Sequence, residues 1–363
     1  MRVFLVNNLY KPYSRGGAET IVESTARTMR DAGHDVHVMT IGRSSDVHWF
    51  WRTRTMVEDG ITVHRYAPMQ WFNYVNNIGR MPTWLRVLWH AWDAIEDFGY
   101  WVLRRRIRQL RPDLVYTHNV KGMGMMILRA GRFAPAHTHV LHDVQLLTPS
   151  GLMWHGQENH WTVTGTLAAI YRRVTKSYTQ HIRTVEGPTQ WIIDTHRFFG
   201  LFEHARAVKT VQTLPVAAVR EVRHRERDKK VFLYVGQIES HKGVEFLVRA
   251  WREYSAQHPE SHLHIAGDGA LLPVVHLQSQ GQKITVHGRL SHDDLGRLYR
   301  DADALVVPSL CYENAPSVIH EAHAHGLRVF ASRIGGIPEL VVQTDRLFEP
   351  QNQQQLLECL EST

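Results

Sequence analysis

Residues 304–326 read ALVVPSLCYENAPSVIHEAHAHG. Ala304 to Val307 is a short unbroken apolar run, the pattern of a strand buried on both faces. Pro316 suits the first position of a helix and Gly326 a stop, so the segment reads as strand, loop and helix. Glu313 falls in the loop and Glu321 in the helix, with seven residues between the two carboxylates. A loop at a strand end aims Glu313 and the backbone N–H groups of Asn314 and Ala315 into the space beyond the sheet. Carboxylates accept hydrogen bonds in pairs and suit the vicinal hydroxyls of a sugar or a ribose.

Working outward, the same grammar recurs. Val3 to Val6 (VFLV) and Val231 to Val235 (VFLYV) open the two halves of the chain. The first leads to a helical pattern from Ala18 to Asp31 and a strand from Asp35 to Thr40. The second leads to a helix from Val244 to Gln257 and strands at His262–Ala266, Ile284–His287 and Arg328–Ala331. Strands alternating with helices imply parallel sheets covered on both sides. With 363 residues and 43% hydrophobic content there is material for two cores. The expectation is two doubly wound α/β domains, 1–212 and 213–363, joined near Leu214 and Pro215 ahead of the charged run from Arg223 to Lys230.

Net charge is +7, but residues 1–212 hold 26 Lys and Arg against 16 Asp and Glu, whereas the remainder is slightly acidic. A basic first half suits contact with anionic lipid or an anionic acceptor, or is simply a scattered basic surface. From Trp84 to Leu110, apolar residues at helical spacing (Leu85, Leu88, Trp92, Ile95, Val102, Leu103, Ile107, Leu110) precede an arginine-rich end. This reads foremost as one core-facing helix with a basic end matched to its dipole. The alternative is a surface helix that docks on a membrane or a long acceptor. Neither a secretory leader nor a spanning segment is expected, and Cys311 and Cys359 are too few for a disulfide framework. A cytoplasmic setting, peripheral at most to the inner membrane face, follows.

The 25 histidines invite a metal reading, chiefly in HEAHAH at 320–325. Ala324 occupies the position where a zincin helix needs its second histidine, so no metal is expected. The aromatic and basic stretch Trp49 to Arg54 has no accompanying nucleic-acid module, and no nucleic-acid partner is expected. VGQIESHKG places Lys242 before Gly243 and a helix start, where a lysine and N–H groups can cradle a diphosphate.

The Glu-x(7)-Glu element resembles the signature of retaining glycosyltransferase family 4. IGGIPEL (Ile334–Leu340), HLHIAGDGALL, ITVHGRL and DADALVVPS fit it in the second half. RGGAETIVESTARTMRDAGHDVHVMT, PDLVYTHN, VLHDVQLL and EGPTQWIIDTHRFFG fit it in the first. The resemblance implies a GT-B architecture, two Rossmann-like domains facing across a crevice, with acceptor on the first and nucleotide sugar on the second. It implies that Glu313 contacts the transferred sugar, Glu321 the ribose, and Lys242 the diphosphate, with help from N–H groups at Gly16 and Gly17. His142 matches the family's catalytic histidine. Asp143 is expected to orient it and Arg15 to line the crevice; His118 and Asn119 close another strand of the first domain, where they either line the crevice or serve in packing.

Gln237 stands where the family usually places an arginine. Glutamine keeps hydrogen bonding but gives up the charge, which leaves Lys242, or Lys242 with Arg15, to meet the anion. After FEPQNQQQLLECLEST there is little room for the family's long final helix. The implied activity is retaining, metal-independent transfer of a hexose-type sugar to a saccharide or lipid-linked acceptor in surface polysaccharide or glycolipid synthesis. The nucleoside-diphosphate sugar is a co-substrate and no cofactor is needed. A donor-binding scaffold without turnover and a nucleotide-sugar isomerase are the alternatives.

Overall fold

The computed structural model describes residues 1–14, 16–43, 53–70, 72, 74–76, 81–210 and 229–363. The chain divides into two units, residues 1–153 with 158–212, and residues 154–157 with 213–363. Arg15, Leu214, Pro215, residues 223–228 and residues 49–52 lie outside the described residues.

The first unit runs β1 (Arg2–Val6), α1 (Gly17–Asp31), β2 (Asp35–Ile41), β3 (Arg54–Glu58), β4 (Ile61–Tyr66), α2 (Thr83–Ile95), α3 (Phe98–Leu110) and β5 (Leu114–Thr117). It continues with a 3-10 segment (Met125–Phe133), β6 (Ala136–Val140), α4 (Trp161–Thr164), α5 (Thr166–Thr179), β7 (Thr184–Gly187), α6 (Gln190–Phe198) and β8 (Arg206–Lys209). Its sheet has the order β3-β4-β2-β1-β5-β6-β7-β8 and is parallel except for β3. Val3, Leu5, Val36, Val38, Ile61 and Val63 meet Val22 and Ala26 of α1 on one face. Phe4 faces the other way, edge-on to the stacked rings of His37 and His64. Several histidines pair ring to ring, most of them from strands: His37 with His64, His137 with His181, and His264 with His287. Among the described residues no group of three His, Cys, Asp or Glu side chains converges as a metal site.

The stretch from Trp84 to Leu110 is two helices, not one. Glu96 takes an extended ψ of 130° and accepts the Phe98 N–H at 3.1 Å, which ends α2 and starts α3. The core-facing reading holds for α3, where Leu103 and Ile107 are buried, and fails for α2, whose Leu88, Trp92 and Ile95 are exposed. No helix among the described residues is long and apolar enough to cross a membrane.

The second unit holds β9 (Val231–Val235), α7 (Val244–Gln257), β10 (His262–Ala266), α8 (Leu272–Ser279), β11 (Ile284–Gly288), α9 (His292–Asp301) and β12 (Ala304–Val307). It closes with α10 (Ser317–Ala324), β13 (Arg328–Ser332), β14 (Arg346–Phe348) and α11 (Gln353–Glu361). All six strands are parallel, in the order β11-β10-β9-β12-β13-β14. Phe232, Val306 and Phe330 enter one core with Trp251, Phe348 and Leu356. Their neighbours Leu233, Leu305 and Val329 enter the opposite core with Tyr299 and Ile319. Both faces of the sheet are dry, which is why its strands read as unbroken apolar runs.

Candidate functional site

In the second sheet, chain order reverses between β9 and β12. The crevice beyond the strand ends at such a point is where open α/β sheets take their ligands. Lys242 follows β9 and Glu313 follows β12, so the fold itself delivers both side chains there. Lys242 Nζ donates to Glu313 Oε2 at 2.6 Å, with the two side chains 24% and 11% exposed. Ser309 Oγ donates to the other carboxylate oxygen. Burial alone pushes the Glu313 pKa up, but Lys242, Ser309 and nearby His241 outweigh it and hold the carboxyl below its ordinary value. Burial likewise works against the charged lysine, and the Glu313 carboxylate more than offsets it, so the Lys242 pKa is raised. The pair is ionic.

Backbone packing makes this contact possible. Gly243 (φ 73°) caps α7 so close to the β12 loop that a Cβ would stand 1.8 Å from the Pro308 carbonyl oxygen. Gly335 (φ 62°) comes so near Glu313 that a Cβ would lie 2.2 Å from its carbonyl oxygen, and Gly336 N–H donates to that oxygen at 2.8 Å. Residues 154–157 join this unit here: Trp154 bridges Cys311 and His155 N–H donates to Leu310 O at 3.0 Å. The Tyr234 hydroxyl donates to Gln237 O at 2.7 Å and pins the turn, leaving the Gln237 side chain exposed.

Asn314 is buried and Ala315 half-buried in the same loop. Glu321 lies on α10, for which Pro316 is the cap residue, one position earlier than its sequence suggests. It accepts from Tyr299 Oη at 2.9 Å rather than joining the Lys242–Glu313 pair. Sequence reasoning missed Ser309 and Tyr299, because their roles come from loop closure and from a helix packed across the sheet.

The first unit has its own reversal between β1 and β5, and polar residues gather there. Asn119 N–H donates to Asn7 Oδ1 at 3.0 Å, Asn8 N–H donates to Asn119 O at 2.7 Å, and Gln145 Nε2 donates to Asn119 Oδ1 at 3.0 Å. His118 and His142 stack at 5.2 Å with His118 Nδ1 and His142 Nε2 2.9 Å apart. Burial pushes the His142 pKa down to about 4 and that of His118 well below its ordinary value, so both rings are neutral and one proton joins them. His142 is thus a polar hydrogen-bonding group, not a cation. The partner expected to orient it was Asp143. The ring it meets is His118, while Asp143 accepts Gln145 N–H at 2.8 Å. Gly16 caps α1 and Gly17 begins it. The Gly16 N–H donates to Glu19 Oε2 at 2.8 Å, so an anion arriving here competes with that carboxylate.

Residues 16–211 match the glycosyl transferase 4-like domain family, and residues 229–363 match the glycosyl transferases group 1 family. The chain is 26% identical to a glycogen synthase of Mycobacterium tuberculosis, over 94% of this chain and 80% of that one. It is 23% identical to an uncharacterized 42.6 kDa protein in the cps region of Klebsiella pneumoniae, over 94% and 87%. In fold it is similar to sucrose-phosphate synthase from Thermosynechococcus elongatus, with TM-score 0.70, 18% identity and coverage of 99% and 89%. Anabaena HepE, solved with UDP and glucose, aligns with TM-score 0.66, 17% identity and coverage of 100% and 89%.

Proposed function

The chain belongs to the glycosyl transferase 4-like family and is a glycosyltransferase with two Rossmann-like GT-B sheets, and on that premise we propose that it transfers a hexose-type sugar from a nucleoside diphosphate with retention. The acceptor is a saccharide or a lipid-linked saccharide, and neither metal nor cofactor is required.

The observation that carries this reading is the ionic Lys242–Glu313 pair at the reversal point of the second sheet. A diphosphate entering that crevice meets a lysine already held protonated. As the bond from the sugar C1 to the diphosphate breaks, charge develops on the leaving oxygen, and a preorganised ammonium stabilises it without reorganisation. The acceptor oxygen bonds to C1 on the face the diphosphate leaves, and its proton passes to a diphosphate oxygen. Glu313, released from Lys242, is then an acceptor for sugar hydroxyls and Glu321 for the ribose, while neutral His142 offers the first unit a hydrogen-bonding group without charge.

HepE was solved with UDP and glucose, so UDP heads the nucleotides to test. Calorimetry with UDP, GDP and ADP against the native chain, Lys242→Ala and Glu321→Ala is the direct experiment. One nucleotide binding in the micromolar range, weakened by both substitutions, supports the donor site. Equal binding by all three proteins sinks it. Anomeric analysis of the product, with a chelator present, tests retention and metal independence.

A further inference from the structure

Helix α2 is built inside out. Trp84, Val87, Leu88, Trp92 and Ile95 recur at helical spacing, form one stripe, and are 65%, 58%, 52%, 40% and 60% exposed. The face turned inward carries the helix's one acid. Asp93 is buried and accepts Gly122 N–H at 2.9 Å, Gly124 N–H at 3.0 Å and Gln70 Nε2 at 2.8 Å. Trp89, also inward, donates Nε1–H to Phe72 O at 2.9 Å. Rolling the helix to bury its apolar stripe would strip three donors from a buried carboxylate, so the stripe is held outward by hydrogen bonds. A contiguous exposed apolar face of this kind marks an interaction surface.

The chemistry beside the stripe selects its occupant. Helix α3 follows at once, and its exposed positions include Trp101, Arg105 and Arg108, with Arg111 just beyond. Between residues 83 and 111 the acids are Asp93, Glu96 and Asp97. The first two are buried, and Asp97 accepts the Trp101 indole N–H at 2.9 Å. Helix α5, packed beside α2, also exposes Leu167 and Ile170. A second copy of the same basic surface would bring like charges together, whereas anionic headgroups complement them. Indole rings and aliphatic side chains on an exposed helical face, with arginines on the helix that follows, are what an interfacial segment lays into the headgroup boundary.

We propose that the outward stripe of α2, flanked by the arginines of α3, seats this protein on the surface of an anionic phospholipid bilayer. This docking does not depend on the transfer reaction, and nucleotide binding by the same variants reads that reaction separately.

The test is flotation of the full chain with vesicles of phosphatidylcholine alone or with added phosphatidylglycerol. The native protein is expected to float with the anionic vesicles and to be released as salt rises. The double substitution Leu88→Glu and Ile95→Glu should lower partitioning by about tenfold or more, because each places a charge on the inserted face. Arg105→Gln with Arg108→Gln should remove the preference for phosphatidylglycerol. All these side chains are exposed, so the thermal midpoint should stay native. Failure of the native chain to float with anionic vesicles overturns the proposal. So does native-like flotation of the Leu88→Glu, Ile95→Glu protein. If that variant instead turns a dimer into a monomer by light scattering while the native chain ignores vesicles, the stripe joins two copies and the bilayer is the wrong occupant.

Discussion

The Lys242 ammonium sits 2.6 Å from Glu313 Oε2, although 71 residues separate them in sequence. Each cancels the charge that burial would otherwise make costly in the other. Removing the lysine therefore does two things at once. Lys242→Ala is expected to weaken nucleoside diphosphate binding by about tenfold or more and to lower the melting temperature, since it leaves a buried carboxylate unpaired. Glu313→Gln keeps the volume and should preserve nucleotide affinity far better while cutting transfer. Calorimetry and thermal melts on both variants separate these effects. Equal nucleotide affinity in all three proteins would remove Lys242 from the diphosphate site.

The pair also sets a stability window. The Glu313 pKa is lowered, so its contribution is present above the ordinary carboxylate range and is lost as pH falls through the folded value. The Lys242 pKa is raised, so its contribution is present below the ordinary lysine range and is lost as pH rises through the folded value. Glu313→Gln should narrow the melting-temperature advantage of the native chain most on the acid side.

Buried histidines make the whole chain acid-labile. Burial holds His64, His142, His181 and His196 at about 4, and His90 and His139 at about 3. Between there and about 6.5 the unfolded chain binds protons that the folded one refuses, so stability falls as pH drops, by about 1.4 kcal/mol per pH unit for each group. Asp93 and Glu96, raised by burial to about 6 and about 7, act in the opposite sense but are fewer. A melting temperature that stays flat from pH 6.5 to 4.5 would contradict this balance.

Gly243 is expected to be intolerant of any side chain. Its φ of 73° is left-handed and an added Cβ meets the Pro308 carbonyl oxygen. Gly243→Ala should cost on the order of 2 kcal/mol or more and, by pushing the β12 loop away, should separate Lys242 from Glu313. Denaturant melts and nucleotide affinity should both suffer. A variant with native stability would show that the loop yields freely.

Asp93 is the anchor of α2. Asp93→Ala leaves the Gly122 and Gly124 N–H groups buried without their acceptor, and a loss of about 2–4 kcal/mol is expected. Asp93→Asn retains one carbonyl oxygen and should lose less. Identical unfolding curves for the two variants would deny the carboxylate its anchoring role.

Much of this molecule was legible in the sequence for local reasons. Strands dry on both faces need unbroken apolar runs, and VFLV, VFLYV and ALVV showed them. A loop between ALVV and α10 placed Glu313 at a strand end, and HKG placed Lys242 before a helix. Those patterns, together with the family motifs, determined the fold class and named the residues now found at the reversal of the second sheet. Spacing also misled. Apolar periodicity from Trp84 to Leu110 stated correctly that helix forms, but periodicity records that a face is apolar and not which way it turns. The turn at Glu96 and the outward face of α2 follow from Asp93 finding donors at Gly122 and Gly124, some thirty residues on. The pairing of His142 with His118, of Glu321 with Tyr299 and of Ser309 with Glu313 was likewise set by strand register and helix packing. Sequence fixes what each residue can offer. Only the closed chain decides which donor a buried polar atom meets, because that choice is made by whatever the fold brings within hydrogen-bond reach once water has left.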